Sequence, residues 1–76
     1  MLEQDALVVH IINYRKENGL TQEQFAEGCS MSVDNISLIE RKKIFPKLDT
    51  LGKIAGFMGV TVSELLAAKP LSDLLK

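Results

Sequence analysis

Cysteine is the first shortage that constrains this chain: there is one, at position 29. An intrachain disulfide is therefore impossible. With a single histidine as the other soft ligand, a structural zinc site lacks its Cys/His set. Domains without such staples depend on well-packed helices, on association, or on both. At 76 residues there is room for one core, and a chain of this size buries only about 60% of the surface its unfolded form exposes.

Long apolar runs are missing as well. The uncharged run 6–12 contains His10 and is far too short to cross a bilayer. The opening residues Met1-Leu2-Glu3-Gln4-Asp5 are acidic, unlike the basic start of a signal peptide. A cytoplasmic location, at the bacterial nucleoid, and no membrane partner are expected. A lone His and a lone Cys, without a glycine-rich phosphate loop or clustered carboxylates, form no catalytic constellation. No enzyme activity, cofactor, metal or small-molecule ligand is expected.

Excess positive charge is also absent, the formal net charge being −1. Affinity for nucleic acid is largely electrostatic, so a binder of this composition must gather its cations on one face. Arg41, Lys42, Lys43 and Lys47 lie within seven residues with no acid among them.

What is present reads as an all-α chain. Hydrophobic residues at 46% and charged ones at 25% fit a folded domain rather than a disordered segment. Segments of helical period alternate with turn signals at Asn18-Gly19, Gly28-Cys29-Ser30 and Phe45-Pro46. A first helix is predicted from about Asp5 to Asn18, ended by Gly19. Thr21 and Gln24 form a capping box at the start of a second helix that stops near Gly28. Ser32 caps a third helix with Ile36 and Ile39 inward, and Pro46 forbids its continuation from Phe45. Leu48, Leu51, Ile54, Ala55 and Met58 mark the inner face of a fourth helix, closed by Gly59. Thr61 and Glu64 form a second capping box, opening a fifth helix with an apolar face at Leu65 and Leu66, interrupted by Pro70. Connections of two to six residues pack five such helices as one domain over 1–76, with its core in 10–66 and 67–76 as an extension.

Two short helices joined through Cys29 to Met31 have the spacing of a helix-turn-helix, whose second helix can lie in the major groove. With Ile36 and Ile39 inward, Val33, Asp34, Ser37, Leu38 and Arg41 face outward, and Asn35 and Ser37 supply hydrogen-bonding groups if the helix is slightly rotated. Amides at the starts of both helices suit phosphates, as do the lysines that follow. Val33 or Leu38 could touch a thymine methyl; Asp34 could accept from cytosine but repels nearby phosphates. That acidic and apolar face leaves open a second reading, a helix-turn-helix fold used as a protein-interaction module without specific DNA binding.

The run Leu20-Thr21-Gln22-Glu23-Gln24-Phe25-Ala26 resembles the phage repressor/Cro, or xenobiotic-response-element, helix-turn-helix family. So do Ser32, Ile36-Ser37, Ile39-Glu40-Arg41, Pro46, Leu51, Ile54-Ala55, Gly59-Val60 and Glu64-Leu65-Leu66. The resemblance spans roughly His10 to Leu66 and implies a five-helix, sequence-specific transcriptional regulator. It implies a repressor that acts as a homodimer on double-stranded DNA carrying a pseudo-palindromic operator. Gln22 is then the residue that contacts a phosphate and braces the recognition helix. Ser32, Val33, Asp34, Asn35, Ser37 and Leu38 would form that helix's DNA face, and Arg41, Lys42 and Lys43 its backbone contacts. Arg15 and Glu40 match a structural ion pair between the first and third helices. The family usually has glycine where this chain has Ser30 and Lys42, so Ser30 is expected at a positive φ.

The remaining conspicuous residues have plainer expectations. His10 reads as a core or interface histidine, Cys29 as a packed thiol, Met31 and Met58 as core filler, and Phe45 as an anchor under the loop that precedes Pro46. Leu65, Leu66, Leu71, Leu74 and Leu75 are candidates for a dimer interface, although Leu71, Leu74 and Leu75 could equally pack on their own chain.

Overall fold

The architecture follows from four repeated chain stops. In the computed structural model, which describes residues 3–67, the elements are α1 (Glu3–Glu17), α2 (Gln22–Gly28), α3 (Val33–Glu40), α4 (Leu48–Met58) and α5 (Val62–Leu65). There is no strand among the described residues. Each of the first four helices ends in paired main-chain bonds of the Schellman type. After α1, Leu20 N donates to Arg15 O (2.8 Å) and Gly19 N to Lys16 O (3.3 Å). After α4, Val60 N and Gly59 N donate to Ala55 O and Gly56 O. Gly19 (φ 63°) and Gly59 (φ 74°) supply the left-handed residue these stops require.

The stops after α2 and α3 are built without glycine. Met31 N donates to Ala26 O and Ser30 N to Glu27 O; Lys43 N donates to Leu38 O and Lys42 N to Ile39 O. Ser30 (φ 57°) and Lys42 (φ 60°) therefore occupy the left-handed region. That conformation costs an L-residue with a Cβ roughly 1–2 kcal/mol.

Helix starts are fixed by side chains. Thr21 and Gln24 bond reciprocally at the start of α2, as do Thr61 and Glu64 at the start of α5. Ser32 Oγ accepts from Asn35 N at the start of α3 (3.2 Å). At α4 the N-cap is Lys47, with no side-chain cap bond.

Leu7 and Ile11 of α1, Phe25 of α2, Ile36 and Ile39 of α3, Ile54 of α4 and Leu65 of α5 are essentially inaccessible and meet in one core. Tyr14, Phe25 and Phe57 pack edge-to-face in a triangle, with centroids 5.5–6.0 Å apart. At the end of α2 a β-carbon on Gly28 would lie 2.4 Å from the Phe57 ring of α4, so any other residue there requires that ring to shift. His10 is buried, and its Nε2 lies 2.7 Å from the Ala67 carbonyl. A carbonyl only accepts, so this nitrogen carries the proton and ties α1 to the residue beyond α5.

Several details depart from the sequence reading. The first helix runs over Glu3–Glu17, shifted toward the N-terminus. Leu48 is 73% exposed rather than inward. It has the right angular position, but Lys47, Leu48 and Asp49 are all exposed, so no described residue covers the start of α4. Phe45, expected as an anchor under the loop, is 45% exposed, whereas the neighbouring Pro46 is buried. Leu65 is fully buried within its own chain, which removes it from any dimer surface in this conformation, and Leu66 is half-buried against the core. Leu71, Leu74 and Leu75, and nearly all of the 67–76 extension, lie outside the described residues.

Candidate nucleic-acid interface

α2 and α3 are held as one unit by a single carboxylate, that of Glu40. The Arg15 guanidinium meets the Glu40 carboxylate in two parallel bonds, Nε to Oε2 and Nη2 to Oε1, both 2.8 Å. Its Nη1 donates to the Leu20 carbonyl (3.2 Å), just before α2. Gln22 Nε2 donates to Glu40 Oε1 (3.1 Å), so the first residue of α2 reaches the last of α3. One carboxylate thus collects α1, α2 and α3. Its side chain is 7% exposed, and that of Arg15 is 18% exposed. Bidentate pairs of this kind fix geometry as well as contributing energy.

Outward, α3 offers a mixed face. Ser32, Asp34, Asn35 and Arg41 are exposed, whereas Ser37 and Leu38 are half-buried. Val33, expected to point outward, is half-buried and packs against the core. It lines an open groove with Arg15, Thr21, Gln22 and Glu23, between the starts of α2 and α3. Its position as the first residue of α3 brings it back toward α2, which the inward assignment of Ile36 and Ile39 does not reveal. Asn35 is exposed without any rotation of the helix. The face is therefore more polar than expected, though Asp34 stays on it.

Arg41, Lys42 and Lys43 are exposed directly after α3, in the turn set by the left-handed Lys42. Arg41 Nε donates back to Ser37 O (3.4 Å). The Lys42 ammonium pairs with the Asp5 carboxylate, and Gln4 Nε2 donates to the Lys42 carbonyl (3.3 Å). Gln4 and Asp5 were absent from the sequence-derived site. They lie 38 and 37 residues from Lys42, and no local pattern signals the contact.

Cys29 is buried at the end of α2, and burial pushes its thiol from 9.0 up to about 11. That suits a packed thiol and not a nucleophile. No group of three or more His, Cys, Asp or Glu able to hold a metal occurs among the described residues. No helix among them is long and apolar enough to cross a membrane.

Comparison with known proteins agrees with this geometry. Residues 11–65 match a family model described as helix-turn-helix. The immunity repressor protein of Bacillus phage phi105 is 40% identical over 57 residues, covering 75% of this chain and 40% of that protein. The HTH-type transcriptional activator BcrR of Enterococcus faecalis is 40% identical over 60 residues, covering 79% of this chain and 29% of that protein. Among solved structures, a hypothetical transcription factor, NHTF, from Neisseria superimposes with a TM-score of 0.79 at 28% identity, covering 95% of this chain and 82% of that one. The chain belongs to the helix-turn-helix family, in its phage-repressor-like branch. It matches less than half the length of either curated relative.

Proposed function

We propose that this chain is a sequence-specific DNA-binding transcriptional regulator that inserts α3 into the major groove. The observation that carries the reading is the Arg15–Glu40–Gln22 lock, which sets α2 and α3 in fixed relation while Arg41 and Lys43 stay exposed at the end of α3. Asn35, Ser32 and Ser37 are its hydrogen-bonding readers, with Leu38 at the edge and Asp34 selecting against bases that cannot donate. Gln22, Arg41 and Lys43 hold the phosphate backbone, with Lys42 as an additional cation. Val33, partly withdrawn, shapes the groove beside α2 and contributes little to readout.

The protein acts as a homodimer on a pseudo-palindromic operator and represses where that operator overlaps a promoter. It works in the cell interior, at the nucleoid, by occupancy and without cofactor, small-molecule ligand or enzymatic chemistry. Leu66 and the C-terminal Leu71, Leu74 and Leu75 form the dimer contact. Two relatives named for repression and activation support regulation as the common property. Random-site selection with the purified chain tests this. Inverted half-sites about one helical turn apart, roughly 34 Å centre to centre, are expected. Recovery of no enriched sequence at low salt overturns it.

One group of observations favours the protein-interaction reading instead. Ile44, Phe45 and Leu48 expose apolar surface beside α3, and Asp34 sits on its outer face. Under that reading Phe45→Ser and Leu48→Ser abolish partner binding, and Arg41→Gln leaves it intact.

A further inference from the structure

The contact between the first turn of α1 and Lys42 suggests how the strength of DNA binding is set. Lys42 is the middle cation of the run that follows α3, and it is held at two points. Its ammonium pairs with Asp5, and its carbonyl accepts from Gln4. The turn itself is closed independently by the bonds from Lys42 N to Ile39 O and from Lys43 N to Leu38 O. The ammonium can therefore leave Asp5 without any rearrangement of the turn. Neither Arg41 nor Lys43 has a carboxylate partner among the described residues. The acid thus acts on one cation of three.

Resting on the DNA-binding reading, we propose that Asp5 is an intramolecular competitor for a DNA phosphate, occupying Lys42 in the free domain. The Lys42 and Asp5 side chains are 49% and 35% exposed. A pair this open is weak, and so is one phosphate contact in water, which makes the exchange close to balanced. The pair is broken once whichever duplex binds, so it lowers affinity for random sequence and for the operator alike wherever Lys42 meets a phosphate. Asp5 therefore sets the domain's overall affinity for duplex lower and holds down its occupancy of random sequence. This also gives a role to acidic residues in a chain whose net charge is −1.

The test compares Asp5→Asn, Lys42→Gln, the double variant and Glu3→Gln. Glu3 is an exposed acid in the same turn and controls for the general loss of negative charge. Affinity for a random duplex and for a selected operator is measured over about 50–200 mM salt. Circular dichroism of each variant checks the fold. Asp5→Asn is expected to tighten random-duplex binding about fivefold at low salt and to steepen the salt dependence by about 0.9 per chain, one extra phosphate neutralised. In the Lys42→Gln background the same change has no more effect than Glu3→Gln. The proposal is overturned if Asp5→Asn matches Glu3→Gln, or if it acts equally without Lys42. Failure of the unsubstituted chain to bind any duplex overturns the DNA-binding reading and this proposal together, whereas normal binding with an inert Asp5→Asn overturns this proposal alone.

Discussion

Arg15 and Glu40 face each other across 25 residues of sequence with two parallel bonds of 2.8 Å, joining α1 to the last residue of α3. Gln22 shares the same carboxylate, so the orientation of the helix-turn-helix on its scaffold depends on one acid. Removing either charged partner leaves the other in a poorly hydrated site, which is costlier than never having had the pair.

Arg15→Ala and Glu40→Ala should each lower stability by about 2–3 kcal/mol, discounted from a fully buried pair because Arg15 is partly exposed. The double variant should lose less than the sum, with a coupling of at least about 1 kcal/mol. Urea unfolding of the four proteins measures this; additivity within error would show that the pair contributes nothing.

Ser30→Gly should stabilise the domain by about 0.5–1 kcal/mol. It relieves the left-handed strain at φ 57°, offset in part by the greater freedom of glycine in the unfolded chain. For a domain of this size the thermal midpoint rises by a few degrees. An unchanged or lowered midpoint counts against strain at this turn.

Gly28→Ala should do the opposite. Better helix propensity favours it, but the new β-carbon meets the Phe57 ring at 2.4 Å. That ring is packed edge-on to Tyr14 and Phe25, so moving it away from α2 disturbs both contacts. A net loss of about 1–2 kcal/mol is expected from overpacking, seen as a lower urea midpoint. Gly28→Ala combined with Phe57→Leu should recover part of it.

Cys29 gives a pH dependence of defined sign. Its folded thiol is raised to about 11 from 9.0, so the folded state holds its proton where the unfolded state has released it. Its stabilising contribution is complete below pH 9 and is lost as pH rises from 9 to about 11. Unfolding free energy should fall across that window more in the parent than in Cys29→Ala. Thiol labelling at pH 8 should be slow in the native chain and fast in urea.

Local chemistry made much of this fold legible. Thr21-Gln24, Ser32 and Thr61-Glu64 cap the helices predicted to start there, and Gly19 and Gly59 end theirs, because caps and stops act over three to five residues. The positive φ of Ser30 followed from a glycine expected in its place. Periodicity reports the angle of a side chain and not what lies opposite, which is why Leu48 and Val33 were misassigned. Phe45 is more exposed than its apolar character suggests for the same reason. The Asp5–Lys42 contact depends on tertiary closure alone and has no sequence signal. Arg15–Glu40 spans the same kind of distance, and only the resemblance to a known family pointed to it.

The ring triangle has a practical consequence. Tyr14 is the sole tyrosine and the chain has no tryptophan, so nearly all its near-ultraviolet signal arises where α1, α2 and α4 meet. Fixed asymmetric packing gives that chromophore a dichroic band that vanishes when tertiary order is lost while helices persist. A tryptophan introduced at exposed Leu48 would then be the only indole emitter, reporting on the first turn of α4 while Tyr14 reports on the core. Two regions of a very small domain could be followed separately in a single cuvette.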